Sequence, residues 1–594
     1  MIIFIDRDLT FNETIQINNF VGQGYKCYQS GDFLDIATKI EINKTFYEQK
    51  INYFLQLIID FPHKNFLNQT FNNIYSYNGI KIFYYHKFRL FHNLKESFVL
   101  AEFLKSNFTD KEFIIYSDKK QLTDFFADTF KINIKSTIVK QNKWDKYITI
   151  LKYGIFIFIR YFFSLFRNYN LKKVKHLVIE NTKPIKLLDN NLTKKYNNVV
   201  FGYLYNKLNK HNLIFNVIDI PKSHKDLKFT KYYFFEPRKN VKTYYYEKAF
   251  INNFSLKKYK NIKTKLNQVN NILTTITNNK NTLPEHKAII KYLISLNKTT
   301  AFYLIRYESV KRFFKKHKFK TFLATDENGA LTKGIIDAAK QNGIKTFGMQ
   351  HAGIGKYTLA YILSKKDNIT DVIADYTFVW SSYYKEFLIN TGNYPAHKIK
   401  IVGQPRSDII NLIKKNIPET DNTVMFASQP MKDLNYKKKA AIDILNLAKQ
   451  NPDINLIIKL HPFEYDGVEY YNSLANKMGV TNYTISNDDL YLLIAKSKLI
   501  ITCFSTVGAE AAYFYKPLII IDYNNEDLLK YIESKIAFGV YNFNDLNKIS
   551  NNILNNNLKP NKIDLDNFIN KFAYKIDGKV SDRILQTIYN ENNG

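Results

Sequence analysis

Two patterns of hydrophobic and polar positions recur along this chain. Short apolar runs, such as IIFI at 2–5 and FIIYS at 113–117, are typical of buried β-strands. Stretches such as LKESFVLAEFLKS have apolar residues at helical spacing instead. Because strands and helices alternate, the pattern predicts α/β units with mainly parallel sheets. It also predicts strands at 81–85 and 199–205.

The alternation also suggests how the chain is divided. A strand–helix–strand unit is predicted at 321–350, and a second α/β series begins near residue 398. We therefore predict two Rossmann-like halves that face a cleft, preceded by an additional α/β region. The predicted domains are an N-terminal region at 1–140, an amphipathic segment at 141–175, a first Rossmann-like domain at 176–395 and a second at 396–594.

The amphipathic segment contains a long apolar stretch, YITILKYGIFIFIRYFFSLF, at 147–166. Lys152 and Arg160 interrupt it on nearly the same helix face, and each would cost roughly 2.5–3.5 kcal/mol at the centre of a bilayer. A membrane-spanning helix is therefore the least favoured interpretation. Two others stay open: a helix that lies on an anionic membrane, and a helix buried between domains with both charges pointing outward. Basic residues flank the stretch at Lys143, Lys146, Arg167, Lys172, Lys173 and Lys175.

Composition narrows the class of protein. The 594 residues carry a net charge of +33, which favours anionic partners such as phosphorylated ligands, nucleic acid or an acidic membrane, although an AT-rich genome explains much of the lysine content. The two cysteines, Cys27 and Cys503, exclude a disulfide framework and suggest a reducing compartment. The start, MIIFIDRDLT, lacks a signal-peptide pattern, so we expect a cytoplasmic protein.

Two motifs follow strands in the second half. His461-Pro462 ends NLIIKLHPFE, where the proline fixes a turn and the histidine could donate a hydrogen bond to a leaving phosphate. Ser505, Thr506 and Gly508 stand where a helix begins, a position that suits phosphate binding or simple capping. Glu510, in the first helical turn, could reach ribose hydroxyls or merely favour the helix dipole.

Three more motifs follow strands in the first half and at its end. TFLATDENG places Asp326 and Glu327 at a strand end, where either carboxylate could act as a general base or simply begin a helix. The same motif contributes Gly329, and the next strand is followed by Gln350 and His351. The third motif, IVGQPRSD, contributes Gly403 and Arg406, and the guanidinium of Arg406 is suited to binding a phosphate. Because ligands of parallel sheets bind at the carboxyl ends of strands, we predict that these residues surround one cleft.

These motifs, over residues 320–525, resemble GT-B glycosyltransferases of bacterial surface polysaccharide synthesis, particularly the sialyl-, polysialyl- and Kdo-transferases that use CMP-activated acidic sugars. The resemblance rests on the acidic motif that ends in Gly329, on His461-Pro462 and on Ser505-Thr506. It implies a carboxylate base, a histidine that binds or protonates the CMP phosphate, and hydroxyls that hold this phosphate. Asn328 stands between the acids and the glycine, so both Asp326 and Glu327 stay candidates.

The main prediction is therefore an inverting glycosyltransferase that moves an acidic sugar from CMP to a glycan or lipid-linked glycan acceptor. It requires no cofactor, and no metal is predicted, since a helix N-terminus and side chains can stabilise the leaving phosphate. The segments QHAG, HP and FSTVGAEA also resemble CDP-glycerol phosphotransferases of teichoic acid synthesis, which implies the alternative of CDP-polyol phosphotransfer with His351 as the base. A UDP-sugar enzyme is a further alternative, and the UDP-N-acetylglucosamine 2-epimerases are a weaker resemblance.

A basic nucleic-acid-binding protein is the alternative outside enzymes. No helix-turn-helix, RRM or zinc-finger pattern occurs, and the lysines are scattered along the chain, so we predict no nucleic-acid partner. The expected partners are a nucleotide sugar, a glycan acceptor and an anionic membrane surface. The expected location is cytoplasmic, or peripheral on the inner face of a bacterial membrane.

Overall fold

The computed structural model describes residues 2–108, 112–118, 121–126, 131–135, 143–167, 169–181, 185–217, 241–368, 372–431, 433–464 and 466–593. Contacts between residues divide the chain into two compact units. The first unit comprises 1–181, 210–377 and 387–398, and the second comprises 182–209, 378–386 and 399–594. Residues 1–181 thus group with the middle of the chain, while the domain boundaries drawn from the sequence stay predictions.

The N-terminal sheet of the first unit has five parallel strands. Its order is Thr38–Lys39, Lys26–Gln29, Ile2–Ile5, Glu112–Tyr116 and Lys131–Lys135. All residues of the central strand, Ile2–Ile5, are buried, as expected for a strand with neighbours on both edges and helices on its faces. Two small antiparallel hairpins lie in the chain between Lys39 and Glu112. One pairs Asn65–Phe66 with Gln69–Thr70, and the other pairs Ser76–Tyr77 with Ile80–Lys81.

A seven-stranded sheet follows in the middle of the chain. Its order is Lys242–Tyr245, Asn212–Asn216, His176–Glu180, Thr321–Thr325, Lys345–Met349, Tyr376–Val379 and Ile399–Ile401. Thr325 pairs with Met349, so the residues that follow these two strands leave the sheet at the same edge. The helices of the first unit are Phe11–Gly22, Lys44–Asp60, Phe71–Ile74, Phe83–Asn107, Lys143–Leu165, Tyr246–Asn253, Leu256–Asn278, Pro284–Ser295, Asn297–Lys316 and Ala330–Lys340.

The second unit is built on six parallel strands. Their spatial order is Tyr483–Ser486, Asn455–Lys459, Thr423–Ala427, Leu499–Thr502, Leu518–Ile521 and Phe538–Val540, which is the 3-2-1-4-5-6 order of a Rossmann sheet. Successive residues enter opposite cores, with Met425 on one face and Phe426 on the other. Helices of this part are Gly202–Tyr205, Ile410–Asn416, Leu434–Gln450, Gly467–Met478, Leu490–Lys496, Val507–Tyr513, Phe543–Leu554, Lys562–Phe572 and Val580–Asn593. The helix Ser382–Asn390 begins among residues of the second unit and ends among residues of the first, and a hairpin pairs Ile185–Leu188 with Lys194–Asn197.

The protein is therefore an α/β protein with a GT-B-like build and an additional N-terminal sheet. Two strand predictions were wrong. The run at 81–85 includes the start of the buried helix Phe83–Asn107, and the run at 199–205 ends in the short helix Gly202–Tyr205. Both segments are apolar because they are buried, and a short buried run does not distinguish a helix from a strand by its periodicity.

From Leu151 onward, the helix Lys143–Leu165 exposes much of its apolar side. Phe158 is 64% exposed and Phe162 is 45% exposed, whereas Arg160 is completely buried. The Arg160 guanidinium lies 2.9 Å from a carboxylate oxygen of Glu247 and donates to the side chain of Asn216. The prediction that Arg160 points outward from a buried helix was therefore wrong, because an ion pair holds its charge inside; the side chain of Lys152 lies outside the described residues. No helix in the described part of the chain is both long enough and apolar enough to cross a membrane.

Candidate functional site

A cavity of about 670 Å³ lies within the first unit, where the strands Thr321–Thr325 and Lys345–Met349 end. Three segments supply most of its lining: the helix Phe83–Asn107, the turn and helix start that follow Thr325, and the loop that follows Met349. The lining residues are Tyr85, Phe88, Arg89, His92, Asn181, Tyr303, Asp326, Asn328, Gly329, Ala330, Leu331, Thr332, His351, Ala352, Gly353, Tyr357, Thr358, Ala360 and Tyr361. The structure thus brings Asp326, Gly329 and His351 together.

Asp326 occupies a strained position at the cavity. Its backbone has a φ of 47°, which is uncommon for a residue other than glycine and is often found at functional sites. The backbone N–H groups of Asn328 and Gly329 lie near its carboxylate, and that of Gly329 donates to the backbone carbonyl of Asp326 at 3.1 Å. A Cβ atom on Gly329 would lie 2.7 Å from Oδ2 of Asp326, so glycine is needed there for this approach. Burial raises the pKa of Asp326, while the nearby charge of His351 and the two N–H groups lower it.

Glu327, the neighbouring acid, points into the core and does not line the cavity. Thr377 Oγ1 lies 2.9 and 3.0 Å from its two carboxylate oxygens, and Tyr394 Oη donates to it at 3.2 Å. Burial raises the pKa of Glu327 to about 7. A Cβ on Gly348 would collide with its carboxylate, so that glycine makes room for the side chain. Of the two acids, only Asp326 reaches the space that a substrate could occupy.

The loop after Met349 contains His351, whose imidazole is the second candidate base. His351 is exposed and lines the cavity, whereas Gln350 is fully buried and its amide donates to the carbonyl of Ala352 at 2.9 Å. Gln350 therefore shapes the loop rather than the cavity surface. Tyr361, at the far end of the loop, is 3% exposed, and within the described part of the chain its hydroxyl has no hydrogen-bond partner.

The turn at His461-Pro462 belongs to the second unit. The backbone N–H of His461 donates to Glu464 at 3.1 Å, and that of Phe463 donates to Nδ1 of His461 at 3.2 Å. Because Nδ1 accepts this bond, the neutral ring carries its proton on Nε2, where a ligand oxygen could accept it. Pro462 is exposed in the turn. Glu464 was not predicted, and its ion pair with Lys437 at 2.8 Å helps to fix the turn.

Ser505 and Thr506 precede a helix of only seven residues, Val507–Tyr513. Ser505 Oγ accepts the N–H of Val507 at 3.3 Å, which is a local cap, and Thr506 is exposed. A Cβ on Gly508 would lie 2.5 Å from the ring of Tyr531, so packing against this ring requires a glycine, and a ligand-binding role for Gly508 stays a prediction.

Arg406 and Glu510 lie 3.8 Å apart in the second unit. The Arg406 guanidinium also lies 4.8 Å from the centre of the Tyr491 ring. Burial raises the pKa of Glu510, and the charge of Arg406 lowers it. Gly403 has a φ of 98°, and a Cβ there would approach Val580 to 2.9 Å, so this glycine serves the backbone and packing.

A smaller cavity of about 330 Å³ lies in the second unit, where the strands Leu499–Thr502 and Leu518–Ile521 end. None of the residues predicted from the sequence lines it, although Phe504 is adjacent to Ser505. Its aromatic side chains, Tyr436 and Phe504, and its acids suit a nucleoside. The lining residues are Pro430, Met431, Asp433, Tyr436, Cys503, Phe504, Ile520, Ile521, Asp522, Asn524, Glu526, Asp527 and Leu528. The position of Asp522 directly after the apolar run LIII was a signal in the sequence.

No group of three or more histidine, cysteine, aspartate or glutamate side chains that could hold a metal ion occurs among the described residues. The two D-x-D sequences, at Asp6 and at Asp564, line neither cavity. Asp6 accepts hydrogen bonds from Ser30 and Ser117.

A Rossmann-like second unit and polar side chains at the ends of parallel strands define an α/β protein of the GT-B type. The family described as CDP-Glycerol:Poly(glycerophosphate) glycerophosphotransferase matches residues 230–590, and the chain belongs to this family. An uncharacterized protein of Methanocaldococcus jannaschii, MJ1060, is 24% identical over 371 residues, and the match covers 59% of each protein. The chain thus spans less than two thirds of the length of this relative.

Two solved structures also align with the chain. The UDP-GlcNAc 2-epimerase of Neisseria meningitidis is 14% identical, with a TM-score of 0.43, and the match covers 70% of this chain and all of the epimerase. The wall teichoic acid polymerase TagF is 13% identical, with a TM-score of 0.37, and the match covers 76% of this chain and 98% of TagF. The family match supports a transferase and favours the CDP-polyol alternative over the main prediction, and it gives no support to a CMP-activated acidic sugar.

Proposed function

We propose that this protein transfers a polyol phosphate, such as glycerol phosphate, from a CDP-linked donor to a hydroxyl group of a surface-polymer acceptor. The acceptor oxygen forms a bond to the phosphorus that carries the polyol. The bond between that phosphorus and the CMP oxygen breaks, CMP leaves, and the hydroxyl proton passes to a base on the protein. The observation that carries the proposal is the family match over residues 230–590, which includes both cavities and most of their lining.

The first-unit cavity supplies a candidate base. His351 is exposed at its surface, so the imidazole can reach an acceptor hydroxyl. Asp326, close enough to interact electrostatically with His351, would stabilise the imidazolium that forms when the proton is taken. In this assignment Asp326 acts on the imidazole, and Glu327 stays in the core.

The second unit supplies a candidate donor site. Its cavity at the ends of the strands Leu499–Thr502 and Leu518–Ile521 suits the cytidine, with Tyr436 and Phe504 as stacking surfaces. His461 would donate its Nε2 proton to an oxygen of the leaving CMP phosphate. No metal is required in this proposal, since hydrogen-bond donors can stabilise the departing charge.

The helix Lys143–Leu165 supports a location at the membrane surface. Leu151, Ile155, Phe158 and Phe162 are spaced at helical intervals and are all more than a third exposed. A stripe of this kind, next to the exposed Lys172-Lys173 pair, suits a helix that lies in the surface of an anionic bilayer. We therefore propose peripheral binding on the side of the membrane where the nucleotide donor is made.

Vesicle flotation tests the membrane proposal. The protein should float with vesicles that contain phosphatidylglycerol and not with pure phosphatidylcholine, and salt should weaken the binding. The double variant Phe158→Asp/Phe162→Asp should lose binding, whereas the control Leu434→Asp, at another exposed apolar position, should keep it. Equal flotation of the double variant would contradict the proposal.

A donor comparison tests the reaction. The purified protein is given CDP-glycerol, a CMP-activated acidic sugar and a UDP-sugar, each with a glycerol phosphate oligomer, and the released nucleotide and the elongated product are measured. We expect CMP release and elongation from CDP-glycerol alone. Transfer from the CMP-sugar would restore the glycosyltransferase interpretation, and release of UDP would point to a UDP-sugar enzyme.

A further inference from the structure

One wall of the first-unit cavity comes from the helix Phe83–Asn107, which precedes the segment matched by the family. This helix is held firmly against the rest of the unit. The Tyr85 hydroxyl donates to Asp337 at 2.9 Å, and His86 is hydrogen bonded to Thr300 at 2.8 Å. The surface that the helix presents to the cavity is therefore a fixed part of the site.

Four residues of this helix line the cavity: Tyr85, Phe88, Arg89 and His92. These are positions i, i+3, i+4 and i+7 of the helix, which lie on one face. Arg89 and His92 are exposed, so both side chains can reach a ligand in the cavity. The same cavity contains His351 and Asp326, so a ligand at this wall lies in the space where the acceptor hydroxyl must be activated.

Within the described part of the chain, the charge on this wall is not neutralised. Among the described residues, no carboxylate forms an ion pair with Arg89, whereas Lys95, one turn beyond His92, lies 3.6 Å from Glu96. The part of the His92 ring that the protein covers is desolvated, and this lowers the pKa of His92; near pH 7 its ring is therefore mainly a neutral hydrogen-bond donor, and Arg89 carries the positive charge. A guanidinium beside a neutral N–H donor is suited to a phosphate group.

We propose that Arg89 and His92 form a subsite that binds a phosphate of the acceptor polymer. This inference rests on the proposed function and deepens it. A growing poly(polyol phosphate) chain carries its last phosphate only one polyol unit away from the hydroxyl that is elongated. When this hydroxyl meets His351, the phosphate can therefore still lie within the same cavity, and contact with Arg89 would select an acceptor that already carries a polyol phosphate.

Kinetics with two acceptors test the subsite. A glycerol phosphate oligomer and free glycerol are compared with CDP-glycerol as donor, in the wild type, Arg89→Ala, Arg89→Lys and the control Lys95→Ala, which removes a charge from the same helix outside the cavity. Arg89→Ala should raise KM for the oligomer about tenfold or more, because it removes a charged hydrogen bond. KM for CDP-glycerol and turnover of free glycerol should stay unchanged. Arg89→Lys should lose less than Arg89→Ala, and Lys95→Ala should behave as the wild type.

Equal losses on both acceptors, or no loss on the oligomer, would overturn the subsite. Calorimetric binding of the oligomer to the wild type and to Arg89→Ala separates this inference from the proposed function. If the oligomer binds in a way that depends on Arg89 but CDP-glycerol is not turned over, the subsite stands and the proposed reaction is refuted. The subsite is refuted if CDP-glycerol is turned over while the oligomer binds equally well to the wild type and to Arg89→Ala. It is also refuted if the oligomer does not bind to the wild type.

Discussion

Replacing Glu327 with glutamine should change how stability depends on pH. The Glu327 carboxylate is buried beside Thr377 and Tyr394, and this burial raises its pKa from an ordinary 4.5 to about 7. A raised carboxyl pKa means that the folded state holds the proton more tightly than the unfolded chain. The contribution to stability is therefore complete below pH 4.5 and is lost as the pH rises through about 7.

The size of the effect follows from the two pKa values of Glu327. Their difference means that folding disfavours the ionised carboxylate, relative to the protonated carboxyl, by about 3 kcal/mol. Glutamine cannot ionise, so the stability of Glu327→Gln relative to the wild type should rise by most of this amount, about 2 kcal/mol or more, between pH 5 and pH 8. Thermal unfolding of both proteins across this range measures the difference, and parallel curves would show that the reasoning is wrong.

Activity gives a second test of the same geometry. Because Glu327 does not line the cavity, Glu327→Gln should keep turnover within a few-fold of the wild type. The matched variant Asp326→Asn should lose about a hundredfold or more, as expected when a group that supports proton transfer is removed. A reversed order of these two losses would assign the functional carboxylate to Glu327.

Further predictions concern packing. Gly508→Ala should destabilise the second unit by about 1–3 kcal/mol, because the new methyl group would collide with Tyr531. Thermal unfolding measures this loss, and the control Gly22→Ala should show no comparable loss because Gly22 has open space around it. Arg160→Ala should destabilise the first unit by about 3–5 kcal/mol, because Glu247 is left as an unpaired buried charge. The double variant Arg160→Ala/Glu247→Ala should recover part of this loss in the same assay, and a double variant less stable than the single one would contradict the ion-pair explanation.

Much of the sheet architecture could be predicted because parallel strands leave a clear pattern. Strands buried on both faces, such as Thr321–Thr325, read as continuous apolar runs, and the alternation with helices follows from the crossover that parallel pairing needs. The same logic brought Asp326 and His351 to one cavity, since neighbouring parallel strands end at the same edge. It could not separate Asp326 from Glu327, because the direction of each side chain depends on the strained turn at Asp326.

Features that depend on contacts distant in sequence were missed. Arg160 looked like an outward-facing charge, because nothing near it in the sequence reveals its partner Glu247. Arg89 and His92 resemble ordinary polar positions of an amphipathic helix, and their place in the cavity follows from how that helix packs. The ligand-binding role of Gly508 stays a prediction, and nothing near it in the sequence indicates that a Cβ there would meet the ring of Tyr531.

The most direct test of the account compares donor binding and turnover in the variant His351→Ala. Thermal stabilisation by CDP reports on the nucleotide site, and transfer from CDP-glycerol to a glycerol phosphate oligomer reports on the reaction. The account predicts unchanged stabilisation by CDP and a loss of turnover of about 10²–10⁴-fold. Turnover equal to that of the wild type, or a loss of CDP binding, would contradict the assignment of His351 as the base in the first-unit cavity.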